Sequence, residues 1–368
     1  MRKMKLGIVL LMLVLLMGAC NKKGTASDKL DLGIVLPTVQ ENRWLGDQAA
    51  FEKAIAASGI KAQILFSNNN SATERTNVET LISKGAKVIV LCAYDATAAA
   101  AAVKDAKSEG ITVISYDRLI MGVGGIDYYV TFDSLKVGAA KAQFLIDKAG
   151  NTKGNNLYIY SGALTDNNSF IFFEGSWKLL QPKIADGTFI IRNCPAAVAL
   201  KDKNNLSREE YASIMSTVDS EWSMDVCKTL AEAHLTASGR DAKGTVFVLG
   251  PADDDCARAL ADTFRADAAI TTLWLTGADG VEASVQYIID GKQSMTVYKD
   301  PGALVDATIK ITQAVLKGEK YPTTTTYNND AEEVPAVECG VVTVTTDNIA
   351  KVFFDTGVYD GSKYTGWK

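Results

Sequence analysis

Charged and aromatic side chains recur in this chain at one kind of place, directly after short apolar runs. Arg43 and Trp44 follow the first run and Asp117 and Arg118 the fourth; Asp133 follows Phe132, and Asp166, Asn167 and Asn168 follow the next run. Trp222, Asp253 to Asp255, Asp279, and Lys299 with Asp300 take comparable places later. Taken singly, an Asp or Asn at a strand-to-helix junction is a helix cap. A cap has no need of Arg43, Arg118, Trp222 or Lys299. Carboxylates accept hydrogen bonds from hydroxyls, guanidinium and ammonium groups donate to ring and hydroxyl oxygens, and Asn does both. An indole face covers the apolar C–H side of a pyranose. The combined chemistry suits a neutral aldopyranose.

Other chemistries are poorly provided for. His234 is the single histidine, so sites needing two imidazoles, such as H-E-x-x-H, cannot be built. There is no G-x-S-x-G elbow, no G-x-G-x-x-G and no P-loop, and Gly122-Val-Gly-Gly125 has Asp127 where a third glycine would be needed. No cofactor, metal or catalytic residue is expected. Two cleft carboxylates could serve a glycoside hydrolase only if they stood roughly 5–9.5 Å apart across the bond. With 38 Lys and Arg against 43 Asp and Glu, a formal charge of −5, the chain has no basic reservoir for nucleic acid. Apart from Cys20, the cysteines are Cys92, Cys194, Cys227, Cys256 and Cys339, an odd number with no C-x-x-C pair and no assigned role.

The elements that must position these residues begin after an export signal. Arg2, Lys3 and Lys5 precede an apolar stretch over residues 6–17 that ends in Gly18-Ala19-Cys20. It is shorter than the ~20 residues of a membrane-spanning helix. It is similar to the lipobox of bacterial lipoproteins, with Met17 where Leu is usual. Residues 1–19 are read as a signal peptide, Cys20 as the lipidated residue and 20–30 as a polar tether. From residue 31 apolar runs alternate with amphipathic stretches: strands at 31–37, 61–67, 88–94, 111–116 and 128–132, with helices at 46–57, 71–84 and 97–109 between them. Ser71-x-x-Glu74 reads as a capping box. The alternation restarts with a helix at 135–148 and strands at 157–161, 188–192, 245–249 and 273–275. Residues 193–220 give only a loop with one short helix. A last unit, strand 295–298 and helix 306–317, precedes two short strands at 341–344 and 352–354. Apolar strands separated by helices form parallel sheets covered on both faces. Two such α/β lobes would bind a ligand beyond their strand C-termini.

The segments Asn42-Arg-Trp44, Ser115-Tyr-Asp-Arg-Leu-Ile120, Tyr129-Val-Thr-Phe-Asp133, Thr165-Asp-Asn-Asn168 and 291–299 carry a resemblance. They are similar to the periplasmic sugar-binding proteins of ABC transporters, above all the D-xylose-binding and multiple-monosaccharide-binding members, and the likeness runs from about Leu32 to the C-terminus. It implies a type I periplasmic binding fold, two Rossmann-like lobes joined by three crossovers, with lobes at 31–133 plus 300–333 and at 134–299 plus 334–368. By the same resemblance the ligand-binding residues are Arg43, Asp117, Arg118, Asp166, Asn168, Trp222, Asp253, Asp279 and Lys299. The implied function is a monomeric, lipid-anchored receptor on the outer face of the membrane that hands a monosaccharide such as xylose, glucose or galactose to a permease. A sensor feeding a chemoreceptor or kinase is the alternative. The chain departs from the family at Ala252 and Ala278, where Asn and Gln are common, and over 194–216, which reads as an insertion.

Overall fold

The computed structural model describes residues 29–367, so the expected signal peptide, Cys20 and most of the tether lie outside the described residues. The first lobe is built from β1 Leu32–Leu36, α1 Asn42–Ser58, β2 Ala62–Phe66, α2 Ser71–Ser83, β3 Val88–Leu91, α3 Ala100–Ser108, β4 Thr112–Tyr116 and β5 Tyr128–Phe132. The chain then crosses to the second lobe with α4 Ser134–Ala149, β6 Asn155–Ile159, α5 Asn167–Ala185, β7 Phe189–Ile191, α6 Pro195–Ala199 and α7 Arg208–Met215. That lobe continues through α8 Met224–Ala237, β8 Gly244–Leu249, α9 Asp254–Ala266, β9 Ile270–Asp279, α10 Glu282–Ile289 and β10 Met295–Lys299. A return passage adds α11 Pro301–Leu316, β11 Thr325–Asn328 and β12 Glu333–Cys339 to the first lobe, and β13 Val341–Val344 ends in the second.

Each strand run is apolar because both faces of its sheet are covered: every residue of β1 and of β3 is buried. The first sheet has the order β11-β12-β5-β4-β3-β1-β2, parallel except for the β11–β12 hairpin. The second runs β13-β10-β9-β8-β6-β7, parallel except for β13. In each sheet the order reverses beside its first strand, β1 or β6, and a crevice opens there beyond the strand ends. The helices that follow those two strands, α1 and α5, therefore begin at the cleft. Side-chain caps start several helices, with Asp133, Asp166, Asp253 and Asp300 each accepting a backbone N–H in the first turn that follows.

Helices α4 and α5 touch backbone to backbone. A Cβ at Gly138 would stand 1.9 Å from the Phe172 carbonyl oxygen, and one at Gly175 would stand 2.2 Å from that of Leu135. Neither neighbour can yield, since both are main chain. Gly175→Ala should therefore lower unfolding stability by about 1–3 kcal/mol through overpacking. Urea denaturation would measure it, and an unchanged midpoint would contradict the contact.

Several boundaries differ from those read in the sequence. Residues 334–339 belong to the first lobe: β12 pairs in parallel with β5, Ala336 opposite Tyr129, and Val334 and Ala336 are buried in that lobe's core. The third crossover thus falls at Gly340, after those at Asp133 and Asp300. Residues 350–354 form a wide helical turn rather than a strand, because Phe353 turns in to pack on Tyr298 at a ring distance of 4.9 Å. The cap of α2 is Asn70, whose side chain accepts from Thr73 N. Glu74 is drawn elsewhere, accepting from Tyr94 N at 2.8 Å, so the expected capping box is not made. Between 193 and 220 there are two short helices, α6 and α7, the second opened by a capping box at Ser207 and Glu210.

Candidate functional site

Arg43, Asp117, Arg118, Asp166, Asn168, Trp222, Asp253, Asp279 and Lys299 line one small cavity between the lobes. Glu41, Trp44, Phe172 and Ala252 complete its wall. The first lobe supplies Glu41, Arg43 and Trp44 from the start of α1, and Asp117 and Arg118 from the end of β4. From the second come Asp166, Asn168 and Phe172 around the start of α5, Trp222 before α8, Ala252 and Asp253 before α9, and Asp279 and Lys299 at the ends of β9 and β10.

Most of the polar groups are paired with one another. On α1, Arg43 Nε donates to Asp47 Oδ2 one turn on at 2.5 Å, and its Nη2 donates to Asp117 Oδ2 at 3.0 Å. Its Nη1 lies 3.5 Å from Asp279 Oδ1 across the cleft. Asp47 is held in turn by the Tyr116 hydroxyl. Arg118 Nε stands 3.0 Å from Asp166 Oδ2 of the other lobe, and its Nη2 lies 3.7 Å from Glu41 Oε2. Lys299 Nζ is 2.8 Å from Asp279 Oδ1 and 5.1 Å from the centre of the Phe172 ring. Asn168 Nδ2 donates to the Asp117 carbonyl at 2.7 Å, another bond between the lobes. The cleft is closed in this structure.

Aromatic faces interleave with these charges. The guanidinium carbons of Arg43 and Arg118 stand 5.1 and 5.0 Å from the Trp44 ring centre, within cation–π range. Trp222 meets Phe172 edge to face at 6.4 Å and lies so close over Gly162 that a Cβ there would be 2.0 Å from its ring. Its indole Nε1 is buried with no hydrogen-bond partner among the described residues. A buried donor left unpaired costs about 1–3 kcal/mol, which an incoming oxygen acceptor would offset.

Burial sets the charge balance. It pushes the Glu41 carboxyl up to about 7, against the pull of Arg118. Burial, then the neighbouring Asp279, pushes Asp253 well above the usual carboxylate range. Burial acts in the same direction on Asp117, but Arg43, Lys299 and Arg118 outweigh it and hold that carboxyl below its ordinary value. Three cations, Arg43, Arg118 and Lys299, stand among these carboxyl groups, so donors and acceptors are interspersed over the wall.

Sequence reasoning missed Glu41 and Phe172, and it placed Trp44 at the strand end without counting it among the ligand-binding residues; Trp44 lines the cavity and is core as well, being 2% exposed. Phe172 stands one helical turn beyond Asn168, so the i, i+4 spacing was an available signal. Asp133 and Asp300 act as caps away from the cavity, and Asn167 accepts from Arg208 Nη1 at 2.8 Å. Asp254 accepts from Gln293, Thr296 and the backbone N–H groups of Gly280 and Val281, fixing the turn that carries Asp279. Ala252 borders the cavity, whereas Ala278 is packed behind it with Val137, Phe172 and Met295.

Residues 32–320 match the model of the periplasmic binding protein domain. The chain is 30% identical to the multiple sugar-binding periplasmic receptor ChvE of Rhizobium radiobacter over 91% of this chain and 92% of that protein. It is 27% identical to the D-xylose-binding periplasmic protein of Escherichia coli strain K12, over 90% and 91% of the two chains. Among solved structures, a carbohydrate transporter solute-binding protein from Chloroflexus aurantiacus in complex with D-glucose superposes with a TM-score of 0.90 at 50% identity. That match covers 92% of this chain and 99% of the other.

Proposed function

Because the chain belongs to the periplasmic binding protein domain family, we propose that it is an extracytoplasmic receptor for a neutral aldopyranose, enclosing the sugar between its lobes and delivering it to an ABC permease. One observation carries this reading: residues scattered from Glu41 to Lys299 converge from both lobes on one small cavity walled by paired charges and aromatic faces. A hydroxylated ring meets donors and acceptors already held in place, and the indole N–H of Trp222 gains an acceptor. Ligand that touches both lobes favours the closed form, because only there does it make both sets of contacts. The relatives' names support sugars of the glucose and xylose kind. In this reading residues 1–19 are removed on export and Cys20 carries the lipid that holds the receptor at the membrane. It is a binding protein rather than an enzyme, and it acts as a monomer.

Calorimetry of the dialysed protein against pentoses and hexoses should show one site per chain, with no added metal or nucleotide required. Arg118→Ala should raise the dissociation constant about tenfold, since a hydrogen bond to a charged group contributes roughly 1.5–3 kcal/mol, and Asp253→Ala, which removes a carboxyl that burial inclines to keep its proton, should raise it several-fold. Absence of heat with every aldose, or wild-type affinity in both variants, would refute the assignment.

A further inference from the structure

The N-terminus of α1 is capped from the opposite lobe. Glu41, which precedes the helix, makes no side-chain cap bond; its carboxylate accepts instead from Trp44 Nε1 at 2.7 Å. The cap comes from Asp255, in the first turn of α9. Asn42 N donates to Asp255 Oδ2 at 3.1 Å, and Asn42 Nδ2 donates to Oδ1 at 3.1 Å. Arg258 Nη2 steadies that carboxylate at 2.5 Å, and Arg258 Nη1 donates to Ser284 Oγ at 3.1 Å, so the acceptor is held in place on its own lobe. A carboxylate at a helix start satisfies free N–H groups and lies at the positive end of the helix dipole. Neither Asn42 nor Asp255 is among the residues that line the sugar cavity.

We infer that Asn42 and Asp255 form a latch that positions the closed lobes without touching the ligand, setting affinity and release rate alike for every sugar the site accepts. The inference rests on the clamp reading above. The bond spans the cleft, so it contributes only in the closed form. If the open form dominates without ligand, any factor lost from the closing equilibrium reappears as the same factor in the dissociation constant. It enters chiefly through faster release. The contact is independent of sugar identity, which separates it from the residues that choose the ligand.

Asn42→Pro tests this with little disturbance to the helix. It removes both donors, proline suits the first helical position, and Glu41 already has the extended backbone, φ −98° and ψ 124°, favoured before proline. The variant should raise the dissociation constant about tenfold for each sugar, leave the ratios between sugars unchanged, and speed dissociation in stopped-flow by a similar factor. Asn42→Ala, which keeps the backbone donor, should show a smaller rise. The ligand-free unfolding temperature should stay as in the wild type, because the open form has no latch to lose. Affinity within twofold of wild type, an effect confined to one sugar, or a drop of several degrees in the ligand-free protein would each overturn the latch. A wild type that binds no sugar overturns both readings, whereas a wild type that binds and an Asn42→Pro variant that matches it overturn the latch alone.

Discussion

Arg43→Met is expected to raise the dissociation constant for the cognate sugar by about a hundredfold or more and to lower the unfolding temperature by several degrees. Three carboxylates converge on this guanidinium, with Asp47 at 2.5 Å, Asp117 at 3.0 Å and Asp279 at 3.5 Å. Burial alone would favour loss of its charge, yet Asp47 and Asp117 hold its pKa well above the ordinary value. Removing one member of a buried ion network costs about 3–5 kcal/mol, mostly because its partners are left uncompensated. Asp279 keeps Lys299 at 2.8 Å, so the loss falls hardest on Asp47, whose remaining partner is the Tyr116 hydroxyl. Arg43→Lys should fall between the two, since it restores the charge but not the planar fork that spans Asp47 and Asp117. Calorimetry beside a thermal melt decides the matter. A methionine variant binding within threefold of the wild type would show that Arg43 belongs to the scaffold alone.

The second large effect concerns folding rather than binding. Stability should fall as pH rises from about 5 to 8, and Glu74→Gln should flatten part of that fall. Glu74 is 1% exposed and does not line the cavity between the lobes; one of its oxygens accepts from Tyr94 N and the other has no partner among the described residues. Burial pushes its carboxyl up to about 7, against the weaker opposing pulls of the Tyr94 N–H and Arg118. Below about pH 4.5 folded and unfolded chains both hold the proton, and the group contributes no slope. Between there and about pH 7 only the folded chain holds it, so stability declines as pH rises, and above pH 7 the full penalty is present. From a shift of that size the penalty is about 3 kcal/mol. Asp117, whose pKa is lowered, acts with the opposite sign: its contribution is present above the usual carboxylate range and lost in more acidic solution, outside this window. Urea midpoints at pH 5, 6, 7 and 8 measure the slope. A variant whose slope matches that of the wild type would remove Glu74 from the account.

The alternation of strand and helix was legible because parallel strands buried on both faces must be almost wholly apolar, as in Val88 to Leu91. Residues at the strand ends were legible for a related reason: once the architecture is a doubly wound sheet, polar residues after the strands converge on one crevice. What stayed hidden depends on partners distant in sequence. Glu74 has the spacing of a capping residue, but the N–H of Tyr94 competes for it and wins. Nothing local marks β12 as part of the first lobe, since its pairing with β5 joins residues about two hundred positions apart. Trp44 was ambiguous because its ring both fills the core and approaches two guanidiniums, and a helical pattern registers only the first role. Asp255 was one of three consecutive aspartates that the tertiary fold sends in different directions. Asp253 caps its helix and faces the cavity, Asp254 fixes the Asp279 turn, and Asp255 reaches Asn42.

Asp117, Trp222 and Asp279 all have left-handed backbones, with φ of 60°, 57° and 99°. Side chains other than glycine, asparagine and aspartate adopt that region at a cost, and β-branched ones most of all. The exchanges open to these three positions are therefore few, whatever the ligand would prefer. Phe172, on a regular helix, and Ala252, with no such backbone demand, can vary at far lower conformational cost. Divergence toward a new sugar, natural or in the laboratory, would accordingly proceed through Phe172 and Ala252, leaving the three left-handed residues as inherited fixtures around which selectivity is rewritten.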